Sequence, residues 1–157
     1  MKLLLLRNFV FTILQSGTVV GLIPFLIVEP KLNDMLTQQL KISHYLGMLI
    51  FTLGFFMMLI CIRSFAIDGK GTLSPADPTK RLVIKGLYKF SRNPMYIGVL
   101  TILMGETIFF KSYQLLIYLL LIFIAFNIFI ILVEEPRLRR DFGKEYLDYC
   151  KKVERWG

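Results

Sequence analysis

Apolar and polar stretches alternate along the chain in a simple order, with apolar runs at about 9–28, 45–62, 95–110 and 113–133. At about 1.5 Å of rise per residue, some 20 helical residues cross the roughly 30 Å hydrocarbon layer of a bilayer. The first and fourth runs reach that length and the second comes close. The third, about 16 residues, gives only about 24 Å and is short for a full span. The pattern predicts an all-α fold, a polytopic transmembrane helical bundle of about four spans formed by residues 1–157 as a single domain.

Within the first run, Gly17 and Gly21 predict close helix contact and Pro24 predicts a kink. The opening M-K-L-L-L-L-R resembles a signal peptide. The apolar stretch continues to Val28 without a small-residue cleavage site, so a retained helix is expected. Residues 30–43 read as a loop or short surface helix. The longest polar connection, 63–93, holds the breakers D-G-K-G and P-A-D-P, then R-L-V-I-K-G-L-Y-K-F, whose mixed character suits the headgroup layer. Lys111-Ser112 predicts a tight turn that makes runs three and four an antiparallel hairpin. Beyond Glu134-Glu135-Pro136, the residues Leu138, Phe142, Tyr146, Tyr149 and Val153 recur at helical spacing and predict a C-terminal amphipathic helix under the bundle.

Charge adds an orientation. The chain is 55% hydrophobic with mean hydropathy +0.62, yet carries a net charge of +8. Sixteen lysines and arginines fall before the first run, in 63–93 or after Glu135, against Lys31, Lys41 and Lys111 elsewhere. The positive-inside bias then places both termini and the long loop in the cytoplasm, and anionic headgroups explain the basic balance without a nucleic-acid partner. Cys61, Cys150 and the single His44 give no disulfide framework and no metal-ligand spacing. Glu106, near the outer end of run three, reads first as a structural partner of Lys111 and second as a functional intramembrane carboxylate.

This topology gathers polar groups at one end. The stretch Gly86–Gly98, G-L-Y-K-F-S-R-N-P-M-Y-I-G, enters run three with Asn93 as expected N-cap and Pro94 in the first turn. Glu134 and Glu135 leave run four at the same depth. Taken by themselves, Tyr88, Arg92, Asn93, Tyr96 and the two glutamates serve equally as interfacial anchors with a helix cap or as walls of a small-molecule pocket.

The motifs G-x-Y-x-x-x-R-N-P-M-Y-x-G, an apolar hairpin, E-E-P and F-G-x-E-Y-x-x-Y, in this order and spacing over about 69–156, resemble the isoprenylcysteine carboxyl methyltransferase and phospholipid N-methyltransferase superfamily. The resemblance implies an integral-membrane enzyme that uses S-adenosyl-L-methionine and methylates lipophilic substrates entering from the bilayer. It implies a cofactor site at Gly69, Gly71, Tyr88, Arg92, Asn93, Pro94, Tyr96, Glu134 and Glu135, with Arg92 and Arg155 as catalytic or substrate contacts. Asn93 stands where the carboxyl methyltransferases have histidine, and Glu154 where many relatives have proline. The residue types suit the ligand: the glutamates match its ammonium, Arg92 its carboxylate, and tyrosine faces its sulfonium. The acceptor is expected to be a prenylcysteine-like carboxylate, a phospholipid amine or another small amphiphile. The alternatives are a membrane sterol-reductase-like enzyme using NADPH, and a non-enzymatic scaffold binding anionic lipid.

Overall fold

The computed structural model describes residues 16–32, 39–69 and 81–157. Residues 9–15 of run one, Lys70 and Gly71 of D-G-K-G and the whole of P-A-D-P therefore lie outside the described residues. Among those described, every regular element is helical and there is no strand.

A wide, π-helical turn, Thr18–Leu22, leads into the short helix α1, Ile23–Val28. Pro24 sits in the first turn of α1 and cannot donate a main-chain hydrogen bond, so the widened turn takes the place of a sharp kink. Helix α2, Ile42–Ile67, is longer at both ends than its apolar run. At its start the ring of His44 accepts a hydrogen bond from Lys41 N at 2.8 Å, and the ring packs on Phe109 with centroids 5.2 Å apart. His44 is thus a capping residue. Helix α3, Pro94–Phe110, ends at Lys111, whose left-handed φ of 47° makes the predicted tight turn into α4, Tyr113–Phe129. A second π-helical turn, Ile130–Glu134, carries α4 without interruption into α5, Glu135–Lys152. Gly143, at φ 51°, breaks α5 midway.

Packing follows from glycine. α2 and α3 cross so closely that a Cβ on Gly54 would lie 2.7 Å from Gly98 O, and one on Gly47 would lie 2.7 Å from Gly105 O. Small residues let the two backbones touch, as membrane helix pairs do. Among the described residues nothing lies within 4 Å of a Cβ added to Gly21; the close glycine contact the structure describes is that of α2 with α3. Met58, Val99, Ile102, Leu103 and Leu119 fill the core between α2, α3 and α4.

The outer faces remain apolar. Leu49 and Phe56 on α2 and Leu121, Ile124 and Leu132 along α4 and its π turn are all exposed, a surface that suits lipid far better than water. Residues 42–65, and the continuous helix from Tyr113, are long and apolar enough to cross a membrane; Thr18–Val28 and Pro94–Phe110 are apolar but shorter. The expected ion pair of Glu106 with Lys111 is not formed, and among the described residues Glu106 Oε2 is buried without a hydrogen-bond partner.

The expected amphipathic helix is present in α5. Tyr146, Tyr149 and Val153 form its buried face, with Leu138 and Phe142 packed alongside and Leu82 from the connecting segment laid against them. That segment does more than rest at the headgroups, because its Val83 and Tyr88 are buried against Cys61 of α2.

Candidate active site

The site is built where α3 begins and α4 passes into α5. A 3₁₀ turn, Gly86–Lys89, buries Tyr88 and delivers the chain to Ser91, Arg92 and Asn93. Here the C-terminal tail folds back and is pinned. Arg92 N donates to Glu154 O at 3.0 Å, and Ser91 Oγ and Asn93 Nδ2 both donate to Arg155 O, at 3.1 and 3.0 Å. The Trp156 indole N–H reaches Asn127 Oδ1 on α4 at 3.2 Å, with its ring against Phe123. Asn93 holds the N-cap position but its side chain makes no capping bond, contrary to the sequence expectation. It grips the tail because a carbonyl, which needs a donor, lies within its reach.

Around Glu135 the tail and α3 are joined by charge. Arg155 forks onto this carboxylate, Nε to Oε1 at 2.9 Å and Nη2 to Oε2 at 3.2 Å. Arg92 Nη1 reaches Oε1 at 3.2 Å, and Arg139 lies at 3.7 Å, one turn along α5. Glu135 is buried, 6% exposed. Burial alone would raise its pKa, but the Arg155 hydrogen bond and the charges of Arg155, Arg92 and Arg139 outweigh it and hold the carboxyl below its ordinary value. Arg92 Nη1 also donates to Tyr146 OH at 3.3 Å and to Cys150 Sγ at 2.9 Å. Tyr149 gives its hydroxyl hydrogen to Tyr88 O, and burial pushes its phenol up to about 12.

Glu134, one residue earlier, is placed differently. Its Oε2 accepts from Tyr96 OH at 2.7 Å, and among the described residues it forms no ion pair. The Tyr96 ring is held by Phe126, centroids 4.6 Å apart. The wide turn Ile130–Glu134 sets this aim, since a five-residue hydrogen-bonded turn rotates the residues after it relative to a regular helix.

Between these groups lies a cavity of about 160 Å³, roughly ten times the space one water needs and so more than a packing gap. Its polar wall is Tyr88, Arg92, Asn93, Tyr96, Glu134 and Glu135, and Val19, Val99, Phe126 and Ile130 are among its apolar lining. Among the described residues Arg92 Nε is buried with no hydrogen-bond partner, an uncommon state for a charged donor.

Six of the residues singled out by sequence thus converge on one wall. Pro94 is buried in the first turn of α3 but off the cavity lining, and Gly69 lies beyond the end of α2, also off it. Arg155 is off the lining too and meets the site through Glu135. Sequence reasoning missed Phe126, Arg137 and Tyr146 as lining residues. Tyr146 showed only as part of the apolar face of α5, and nothing marked Arg137 or Phe126 apart from neighbouring residues of their kind.

The fold and site together define a helical membrane protein with a polar-walled cavity at the ends of its apolar helices. The model of the phospholipid methyltransferase family matches residues 42–145, well over half the chain. The chain belongs to that family and is a membrane methyltransferase of the S-adenosylmethionine-dependent class, acting on lipid-like substrates. No curated protein and no solved structure gives a significant match. The reductase and scaffold alternatives give way to the family assignment.

Proposed function

We propose that the chain transfers methyl from S-adenosylmethionine to an amphiphilic acceptor, a phospholipid amine or prenylcysteine-like carboxylate, within the cavity between α3, α4 and α5. The observation that carries this reading is the convergence on one cavity wall of Arg92, Asn93, Tyr88 and Tyr96 with a Glu134 carboxylate that no arginine pairs with among the described residues. A ligand bearing both a carboxylate and a cation matches that set.

S-adenosylmethionine, when bound, supplies a methyl group already activated by its sulfonium. The residues of the chain then have positioning to do. Arg92 pairs with a ligand carboxylate while Glu135 holds its guanidinium still. Asn93 pins the C-terminal tail beside the site. The faces of Tyr88 and Tyr96 favour a nearby cation by on the order of 0.5–2 kcal/mol. Glu134 balances the positive charge. The aliphatic and aromatic walls exclude water, so alignment of donor and acceptor supplies most of the rate.

The basic asymmetry of the chain supports four spans with this cavity at the cytoplasmic face. Entry from the bilayer is supported by the lining residues Val19 and Phe126 on the side of the apolar helices. The test is transfer of labelled methyl from S-adenosylmethionine into the organic-extractable lipid of vesicles containing the purified protein. Label is expected in lipid with wild type and strongly reduced with Arg92→Gln. Label absent from lipid with folded wild type contradicts the reading.

A further inference from the structure

Two charges of the cavity wall have a duty toward the cofactor, and a third has none. S-adenosylmethionine carries one carboxylate and one ammonium, and Arg92 and Glu134 answer to them. Arg137, half-buried in the first turn of α5, also lines the cavity. It stands on the Glu134 side, where its positive charge is felt by Glu134 and Tyr96. The arginines that follow it are occupied, Arg139 at 3.7 Å from Glu135 and Arg140 at 3.0 Å from Asp141. Among the described residues Arg137 makes no ion pair and no hydrogen bond.

Its depth matters as much as its charge. Leu132 and Val133, just before it, are exposed apolar residues, while Arg139 and Arg140, just after, are exposed and charged. Arg137 therefore sits where hydrocarbon gives way to headgroups, a level at which cationic side chains meet anionic lipid groups. Phe129, about two turns earlier, both lines the cavity and is exposed on the outer face. A lipid chain lying over Phe129 would bring its polar end to Arg137.

We infer that Arg137 holds a negatively charged group of the acceptor, distinct from the atom that receives the methyl, and so selects amines with a fixed anion beside them. This rests on the methyl-transfer reading above. The guanidinium fork fits two oxygens of a phosphate or carboxylate at once. A phosphoethanolamine headgroup has such an anion two carbons from its amine. With the phosphate on Arg137, the amine is free to reach the donor methyl. A prenylcysteine-like acceptor has a single anion, and that anion is the methyl-accepting group. On Arg137 its oxygen lone pairs would be engaged by the guanidinium rather than free to attack carbon.

The experiment compares wild type, Arg137→Gln and Arg137→Lys as full chains in dodecyl maltoside, a detergent without phosphate. Affinity for S-adenosylhomocysteine is read first. Then kcat and KM are read for three acceptors: phosphatidylethanolamine; sphingosine, a long-chain primary amine with no anion; and N-acetyl-S-farnesylcysteine, a lone carboxylate. Wild type is expected to use phosphatidylethanolamine with kcat/KM about tenfold or more above that for sphingosine, the worth of one charged hydrogen bond. Arg137→Gln should raise KM for phosphatidylethanolamine about tenfold or more with kcat within about threefold, the mark of lost ground-state binding. Its kcat/KM on sphingosine and its affinity for S-adenosylhomocysteine should stay within about threefold of wild type. Arg137→Lys keeps the charge without the fork and should recover part of the loss. Equal loss on both amines, loss of cofactor-product affinity in Arg137→Gln, or a wild type that prefers sphingosine or the lone carboxylate overturns the inference and leaves the methyl-transfer reading standing. No transfer to phosphatidylethanolamine by a wild type that binds S-adenosylhomocysteine does the same. A wild type that binds none removes both.

Discussion

Glu134 and Glu135 are neighbours in the chain that take opposite company: Glu135 accepts from Arg155 at 2.9 Å and Arg92 at 3.2 Å, whereas among the described residues Glu134 accepts from Tyr96 alone, at 2.7 Å. One carboxylate ties the tail to α3. The other lies in the cavity wall with no arginine paired to it among the described residues. The difference sorts their mutants.

Glu135→Gln leaves Arg92 and Arg155 without their counter-ion in a largely buried place. Removing one partner of such a pair costs about 3 kcal/mol or more, so a lower Tm in detergent is expected together with loss of activity. Glu134→Gln breaks no ion pair and keeps a side-chain acceptor for Tyr96, so its stability should stay within about 1 kcal/mol of wild type.

Acid should act through the same cluster. The Glu135 carboxyl is held below its ordinary value, so it binds fewer protons folded than unfolded near pH 4. Its contribution to stability is complete above the ordinary value of 4.5 and is lost as pH falls through the lower, folded one. Thermal unfolding should therefore show an acid limb below about pH 4.5 that is smaller in Glu135→Gln.

The α2–α3 crossing gives a test in which two effects differ in sign. Gly54→Ala would gain up to about 1 kcal/mol in an open helix. Here the added Cβ lies 2.7 Å from main-chain atoms of Gly98 and Ile102, so the helices must move apart. A net fall in Tm is expected, and a rise would show that the crossing is looser than described.

The tail latch is tested by Asn127→Leu, which leaves the Trp156 indole without its acceptor. A lost buried bond of this kind costs about 1–2 kcal/mol. Limited trypsin digestion should then cut faster at Lys151 and Lys152, next to the tail, while cleavage elsewhere keeps its wild-type rate.

How far the sequence could be read depends on where its signals are local. Apolar run length is a local signal, and it found α2, α3 and α4. Helical spacing found the buried face of α5, and Lys111-Ser112 the turn between α3 and α4. Co-location of Arg92 with Glu135 came from that hairpin. Three features depended on geometry that pattern does not encode. Which glutamate faces the cavity is decided by the widened turn Ile130–Glu134, and π turns have no composition of their own. The duty of Asn93 is decided by a tail that returns across 62 residues of sequence. Glu106 was given Lys111 as partner by proximity along the chain, but Lys111 takes a left-handed conformation to make the turn, and no ion pair forms.

The most direct test of the account is titration of the purified wild type and Arg92→Lys with S-adenosylhomocysteine. Saturable binding by wild type is predicted, weakened about tenfold or more in Arg92→Lys, because lysine has no planar fork to bond Glu135 and a ligand carboxylate at once. No binding by folded wild type, or equal binding by both proteins, would contradict it.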